Sequence, residues 1–169
     1  MARAWDGTTA RLLRQAKGAP ADAGLGLVVQ AMVLGVGKGE CGSGVIEFVD
    51  PATGERMLKG RYLAQSQGRE ALTDGAGALY LMRDPRGLSV EEALPEVFQN
   101  LVRYGDLCRA KLREEMQIEF AIENGTLAIL DAVRVQRSSR AAVRIAVALA
   151  EDGIIPREET ILRVERSEE

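Results

Sequence analysis

The sequence predicts an α+β fold in which helices flank a mainly antiparallel sheet. The strongest indication is a pair of strand-like segments around Asn124-Gly125, a dipeptide typical of tight hairpin turns because both residues accept positive φ. A second pair of such segments surrounds residues 50–54. Helical patterns precede, separate and follow these strands without alternating regularly with them, as in α+β proteins.

The composition is that of a globular domain. The chain has 169 residues, 46% of them hydrophobic, and a net charge of −3. We expect one domain over residues 1–165 and a disordered tail over residues 166–169. The mild acidity predicts no nucleic-acid partner, and no apolar run approaches the roughly 20 residues that a membrane span needs. Cys41 and Cys108 lie far apart in a chain without an apparent export signal, which predicts free thiols and a cytoplasmic location.

The chain contains no histidine. This count excludes Ser-His-Asp and Cys-His catalysis within the chain. It also argues against zinc, because only the two separated cysteines would remain as preferred ligands. We therefore predict no catalytic residue from composition or motif.

The N-terminal third is predicted to hold a helix, a strand and a loop. Asp6 is suited to cap a helix over residues 6–17, which Gly18 would end. Residues 25–35 are almost continuously apolar and predict a strand buried on both faces, hence central in the sheet. A glycine-rich loop follows over residues 35–44.

A hairpin, a short strand and a helix are predicted next. Pro51 and Gly54 predict a turn between strands over residues 45–49 and 56–63. A short strand over 78–82 follows, and Pro95 opens a helix over 95–115.

In that helix, the internal Gly105 costs about 1 kcal/mol relative to Ala. The central hairpin pairs residues 116–123 with 126–133. A helix over 140–152 comes next, and Pro156 begins a last short one.

The glycine-rich loop matches G-x-G-x-x-G at residues 37–42. A dinucleotide fingerprint requires a helix after that motif, whereas residues 45–49 predict a strand, so we reject this interpretation. Two others stay open: a flexible hairpin loop, or a flap whose backbone N–H groups cover phosphates.

Two carboxylates in the central hairpin, Glu119 and Asp131, also allow two interpretations. They are either solvated strand residues or a pair that holds Mg²⁺. A two-residue turn pairs Glu119 with Leu130 and sends Asp131 to the opposite face of the sheet. A turn one residue longer, with a glycine bulge, places Glu119 opposite Asp131. The apolar alternation favours the first register.

Several stretches between Trp5 and the C-terminus carry a family resemblance. They are Val29-Gln30-Ala31-Met32-Val33, Cys41-Gly42-Ser43-Gly44-Val45 with Asp50-Pro51-Ala52-Thr53-Gly54-Glu55, Met116-Gln117-Ile118-Glu119-Phe120, and residues 141–147 and 151–155. In order and spacing they resemble the C-terminal half of the ATP-grasp nucleotide-binding domain in the pyruvate phosphate dikinase and phosphoenolpyruvate synthase family. The resemblance implies half of an ATP-grasp domain, with ATP and Mg²⁺ as its ligands.

The resemblance also implies site residues. It assigns a nucleotide-binding role to Gln30, Ala31, Met32, Gly42, Ser43 and Gly44. It assigns the metal to Glu119, which matches the family's metal-binding Glu, and to Asp131, which stands where the family has Gln.

Other positions depart from the family pattern. Gln117 replaces an Asp, Val49 and Val133 replace two Arg, and Arg61 replaces a Glu. Phosphoryl transfer depends on cations that neutralise the developing charge. These substitutions imply a degenerate, non-catalytic binding or regulatory module in which binding of ATP and Mg²⁺ is weak or lost.

The partners follow from the same resemblance. An ATP-grasp site lies between two subdomains, and the chain resembles one of them, so we expect a homodimer or a partner protein to cover an apolar face. The alternative is the ATP-binding subunit of a split phosphotransferase whose partner chain supplies the phosphate-binding half and the phosphohistidine. A third possibility is an unrelated ligand in the former adenine cleft.

Overall fold

The computed structural model describes residues 2–20, 23–67 and 78–165. It comprises two compact units, Met1–Met32 and Val33–Glu169, which we describe separately. The expected tail over residues 166–169 lies outside the described residues, and the expectation of a single domain over residues 1–165 stays a prediction.

The first unit begins with two short helices, α1 (Ala2–Trp5) and α2 (Thr8–Ala16). The guanidinium of Arg14 lies 4.2 Å from the centroid of the Trp5 ring, and Trp5 Nε1 donates to the Ala23 carbonyl at 3.0 Å. The predicted first helix is thus confirmed, although it begins after Gly7 rather than at Asp6.

The strand predicted over residues 25–35 is wrong. The described chain from 24 to 34 forms no helix or strand, and Val28 and Val29 are 87% and 98% exposed. An apolar run becomes a strand only where neighbouring strands complete its backbone hydrogen bonds. None of the five strands described below pairs with this segment.

The second unit is built on a five-stranded sheet with strand order β3-β2-β1-β4-β5, in which every neighbouring pair is antiparallel. The strands are β1 (Gly42–Val49), β2 (Arg56–Ala64), β3 (Leu79–Tyr80), β4 (Met116–Glu123) and β5 (Thr126–Arg134). The helices are α3 (Val90–Ala93), α4 (Pro95–Leu112), α5 (Ser139–Glu151) and α6 (Arg157–Glu165). The predicted α+β class and antiparallel sheet are confirmed.

The two predicted hairpin turns, at residues 50–54 and at Asn124-Gly125, both form. Asp50 Oδ1 accepts the backbone N–H groups of Ala52 and Thr53 at 2.8 and 2.7 Å. These hydrogen bonds lower the pKa of the Asp50 carboxyl. In the central hairpin, Asn124 and Gly125 both have positive φ, at 52° and 78°.

One face of the sheet packs against α3 and α4 to form the main core. Its strand residues are Ile46, Phe48, Tyr62, Ile118, Phe120 and Ile122, and its helix residues include Val90, Val97 and Leu101. Helix α4 continues through Gly105. A glycine is needed at this position because the Phe48 ring occupies the place where a Cβ would lie. A second cluster joins Val49 and Val135 to α5.

Ion pairs hold the segment between α4 and β4 in place. Arg109 Nε donates to buried Glu115 at 2.5 Å. Glu114 accepts from Arg137 at 2.6 Å and from Arg134 at 3.0 Å. Burial raises the pKa of the Glu114 carboxyl, but the hydrogen bonds and charges of these arginines outweigh burial and bring the pKa below its ordinary value. No helix in the described part of the chain is long and apolar enough to cross a membrane.

Gly60 is required by the close approach of β2 to β1. A Cβ there would lie 2.1 Å from the Val45 carbonyl oxygen and 3.0 Å from Ile46 Cα. We predict that Gly60→Ala lowers the free energy of unfolding by about 1–3 kcal/mol, because backbone atoms must shift.

Gly87→Ala is the matched control, since its Cβ would meet only the Tyr80 ring at 3.6 Å and Gly87 has no positive φ. We expect it to stay within about 0.5 kcal/mol of the native chain. Urea unfolding measures both variants. Equal stability of the two would contradict the packing described for Gly60.

Candidate functional site

The candidate site lies on the sheet face opposite the main core. Successive strand residues point to opposite faces, so the neighbours of the core residues define this side. We call it the polar face. It carries Val45, Glu47, Lys59, Arg61, Gln117, Glu119, Asp131 and Val133.

Strand pairing aligns four of these residues in one row. Val45 of β1 pairs with Arg61 of β2 on one side and with Glu119 of β4 on the other. Glu119 in turn pairs with Asp131 of β5. Adjacent strands lie about 4.8 Å apart, so the row spans about 14 Å from Arg61 to Asp131.

A β-bulge in β5 creates the pairing of the two carboxylates. The turn has the two-residue Asn124-Gly125 form, and regular pairing continues from it as far as Phe120 with Ile129. Leu130 is then an extra residue, after which Glu119 pairs with Asp131. The structure therefore combines the two-residue turn of the first register considered above with the carboxylate pairing of the second.

The bulge has a clear physical cause. Without it, Asp131 would pair with Ile118, which is fully buried in the core, and a carboxylate would face apolar side chains. Burial of an unpaired charge is strongly unfavourable. The extra residue lets Ile129 and Ala132 both contact the core while Asp131 stays on the polar face.

The two carboxylates are neighbours with like charge. Side chains directly opposite on antiparallel strands have Cβ atoms about 5 Å apart, and like charges there are destabilising. Asp131 Oδ1 accepts from the Ala132 N–H at 2.8 Å, and Glu119 takes part in an interaction within the chain. Two carboxylates, completed by water and phosphate oxygens, are a typical set of Mg²⁺ ligands.

The described residues contain no group of three or more His, Cys, Asp or Glu side chains that could hold a metal ion. Any metal at Glu119 and Asp131 would therefore depend on water or a ligand for most of its coordination.

Two further charged residues of the polar face were missed in the sequence. Glu47 pairs with Lys59 on β2 and with Gln117 on β4. Burial raises the pKa of the Glu47 carboxyl, and the charge of Lys59 offsets only part of this rise. The alternation of β1 and β2 could have placed both residues on this face, had their register been known.

The two valines at positions where the family has Arg have different surroundings. Val49 is 1% exposed and packs in the second cluster with Ile145 and Leu149 of α5. Val133 is 40% exposed and pairs with Gln117 at the edge of the polar face. Only Val49 has become part of a core.

The glycines expected at the nucleotide site are needed by the sheet itself. Gly42, Ser43 and Gly44 begin β1, where they pair with both β2 and β4. A Cβ at Gly42 would lie 2.5 Å from the Leu63 carbonyl oxygen, and one at Gly44 would lie 2.4 Å from the Phe120 ring. The loop therefore ends at Cys41, earlier than predicted.

The remaining loop is held by hydrogen bonds. Gly37 N–H donates to Gln65 Oε1 at 3.0 Å, and Gly125 N–H donates to the Glu40 carbonyl at 2.9 Å. Cys41 Sγ accepts from the Asn124 N–H at 3.4 Å. These contacts connect the loop to the end of β2 and to the central turn.

The other expected nucleotide-binding residues, Gln30, Ala31 and Met32, belong to the first unit. They lie in the exposed segment that forms no strand. Their grouping with Gly42, Ser43 and Gly44 in one site stays a prediction.

The antiparallel sheet, with α3 and α4 on one face and a carboxylate pair on the other, defines an α+β domain. Comparison with known proteins gives its relatives. The chain is 33% identical over 165 residues to pyruvate, phosphate dikinase of Clostridium symbiosum, which covers 96% of this chain. It is 31% identical over 174 residues to that of Rhizobium meliloti (strain 1021), and 32% identical over 162 residues to pyruvate, phosphate dikinase 2 of Oryza sativa subsp. japonica, each covering 95% of the chain.

The chain is therefore homologous to a segment of pyruvate, phosphate dikinases, as the sequence resemblance indicated. It spans less than a fifth of these relatives, 18% of the Clostridium protein and 19% of the Rhizobium protein. No family model matches the chain.

The register of the hairpin can be tested by cross-linking. Directly paired residues on antiparallel strands have Cα atoms about 4.5–5.5 Å apart, within the range of a disulfide. We predict that Glu119→Cys/Asp131→Cys forms a disulfide under mild oxidation and that Glu119→Cys/Leu130→Cys does not. Peptide mass spectrometry distinguishes the new bond from any involving Cys41 or Cys108. Efficient cross-linking of the second pair instead would show a hairpin without the bulge.

Proposed function

We propose that this chain is a degenerate module of the pyruvate phosphate dikinase type, derived from the C-terminal half of an ATP-grasp domain. It acts by binding, as a regulatory or interaction module in the cytoplasm, and transfers no phosphate by itself. The observation that carries the proposal is the burial of Val49, where the resemblance places an Arg. That position now packs against Ile145 and Leu149.

The loss of cations argues against catalysis. Phosphoryl transfer needs positive groups around the transferred phosphate, and the removal of one stabilising donor costs about 10²–10³ in rate. Val49 and Val133 each stand in place of such a donor. Gln117 further removes a carboxylate next to the metal position. No catalytic residue is assigned for these reasons.

The carboxylate pair supports weak metal binding. Glu119 and Asp131 lie directly opposite each other on the polar face, and a divalent cation between them would relieve the repulsion of their charges. Mg²⁺ loses its water reluctantly and binds through one or two carboxylates when phosphates supply further ligands. We expect Mg²⁺ alone to bind weakly at this pair.

ATP binding is proposed to be weak or absent. The backbone groups of Gly42, Ser43 and Gly44 already take part in strand pairing on both sides of β1, which leaves few donors for phosphates. Gln30, Ala31 and Met32 remain the proposed contacts for the adenine. The chain is proposed to form a homodimer or to bind a partner protein. Its net charge of −3 gives no support for binding to nucleic acid.

Calorimetric titration tests this function. We predict that Mg²⁺ binds the native chain with a Kd of about 1 mM or weaker, and that Glu119→Gln abolishes the signal. Glu123→Gln is the control, because Glu123 pairs with Thr126 rather than with a carboxylate. Mg²⁺-dependent ATP binding with a Kd below about 10 µM would contradict a degenerate site.

A second candidate function is the ATP-binding subunit of a split phosphotransferase. It is favoured by the exposed apolar segment over residues 25–34, which has the composition of a central strand. The relatives contain further chain, since the match covers under a fifth of their length. A second chain that supplies the phosphate-binding half would give this segment neighbouring strands.

This candidate predicts protection of the segment on complementation. The probe is the Clostridium symbiosum relative with its matching segment deleted. If the split function holds, its addition slows hydrogen exchange at residues 25–34 by at least tenfold and confers Mg²⁺-dependent ATP binding. Unchanged exchange at an excess of the probe would count against it.

A further inference from the structure

In the row of the polar face that contains Val45, the charges are separated by sign. The basic residue Arg61 lies on β2, at one side of the face. The acidic residues Glu119 and Asp131 lie on β4 and β5, at the other side. Between them, Val45 is buried in the middle of the row. The charges of this row are complementary to those of a second copy that is related to the first by a two-fold rotation.

The strand order determines which residues would meet. Strands β2, β1, β4 and β5 follow one another across the sheet, so β2 and β5 are equally distant from the line between β1 and β4. A two-fold axis along that line, parallel to the strands and in the plane of contact, places β2 of each copy over β5 of the other. Such an axis keeps every residue in its own row. Arg61 and Asp131 share a row, so they face each other twice.

We propose that the polar face is the interface of a symmetric dimer of this chain, in which Arg61 of each copy pairs with Asp131 of the other. The charge complementarity carries this proposal, which depends neither on nucleotide binding nor on the loss of catalysis. It places the expected dimer on a polar face, whereas the sequence led us to expect an apolar one.

Both side chains can form the pair in addition to their contacts within the chain. Arg61 already takes part in an interaction in its own chain, but a guanidinium has five N–H donors. Asp131 is exposed, and its Oδ1 accepts from the Ala132 N–H while its second oxygen can accept from a guanidinium. Arg and a carboxylate pair well because two parallel hydrogen bonds fit their planar groups.

The interface is expected to be weak and sensitive to salt. It is largely polar, and pairs at a solvated surface contribute little each. We expect a dimer with a Kd of about 10–100 µM at low ionic strength, which dissociates as salt screens the pairs. Sedimentation equilibrium at protein concentrations of about 10–300 µM covers this range. A chelator in the buffer keeps metal ions away from Asp131.

Charge reversal provides the decisive test. Arg61→Glu places two carboxylates opposite each other, and Asp131→Arg places two guanidinium groups opposite each other. Each single variant should dimerise at least tenfold more weakly than the native chain. In an equimolar mixture of the two variants, the new carboxylate of one copy meets the new guanidinium of the other, and the native pair stays intact on the second side.

We therefore expect the mixture to form a heterodimer with nearly native affinity. A misfolded variant could not be rescued in this way, so recovery also shows that both chains are folded. The double variant Arg61→Glu/Asp131→Arg should dimerise by itself for the same reason.

An ion pair on the helix side of the sheet supplies the control. Arg56 and Asp106 form an exposed pair within the chain at 3.3 Å. Arg56→Glu and Asp106→Arg carry the same charge changes, and we expect neither to alter dimerisation. A native chain that is monomeric at about 300 µM, or a mixture of Arg61→Glu and Asp131→Arg that stays monomeric, would overturn the proposal.

Discussion

The pairing of β1 with β2 on one side and with β4 on the other determines where the candidate residues of these three strands lie. The three strands approach so closely that Gly44 and Gly60 have no room for a Cβ. Their register brings Arg61, Val45 and Glu119 into one row and leaves the alternate residues to the helix-packed core. The polar face is thus a consequence of the same contacts that hold the sheet together.

The β-bulge at Leu130 adds a residue of the edge strand β5, Asp131, to this row. It is a local response to one charge, because a regular ladder would place Asp131 against the core at Ile118. By keeping Asp131 on the polar face, the bulge produces the two features on which the metal-binding and dimer proposals depend. One is the neighbouring carboxylate of Glu119, and the other is the shared row with Arg61.

The two proposals make competing use of Asp131. A divalent cation held by Glu119 and Asp131 would reduce the negative charge available to Arg61 of a second copy. Metal binding and dimerisation would therefore oppose each other, and by linkage each would weaken the other by the same factor. If both proposals hold, a divalent cation would control self-association of the chain.

The sequence by itself determined the local elements. Asn124-Gly125 and Pro51 with Gly54 specify turns through their own backbone preferences, and both turns form where predicted. Tertiary structure decided the features that depend on distant partners. The apolar segment over residues 25–34 is no strand because hydrophobicity supplies no hydrogen-bonding neighbour. The register at Asp131 depends on the core against which the hairpin packs. The burial of Val49 depends on α5, which is far away in the chain, so no local pattern encodes it.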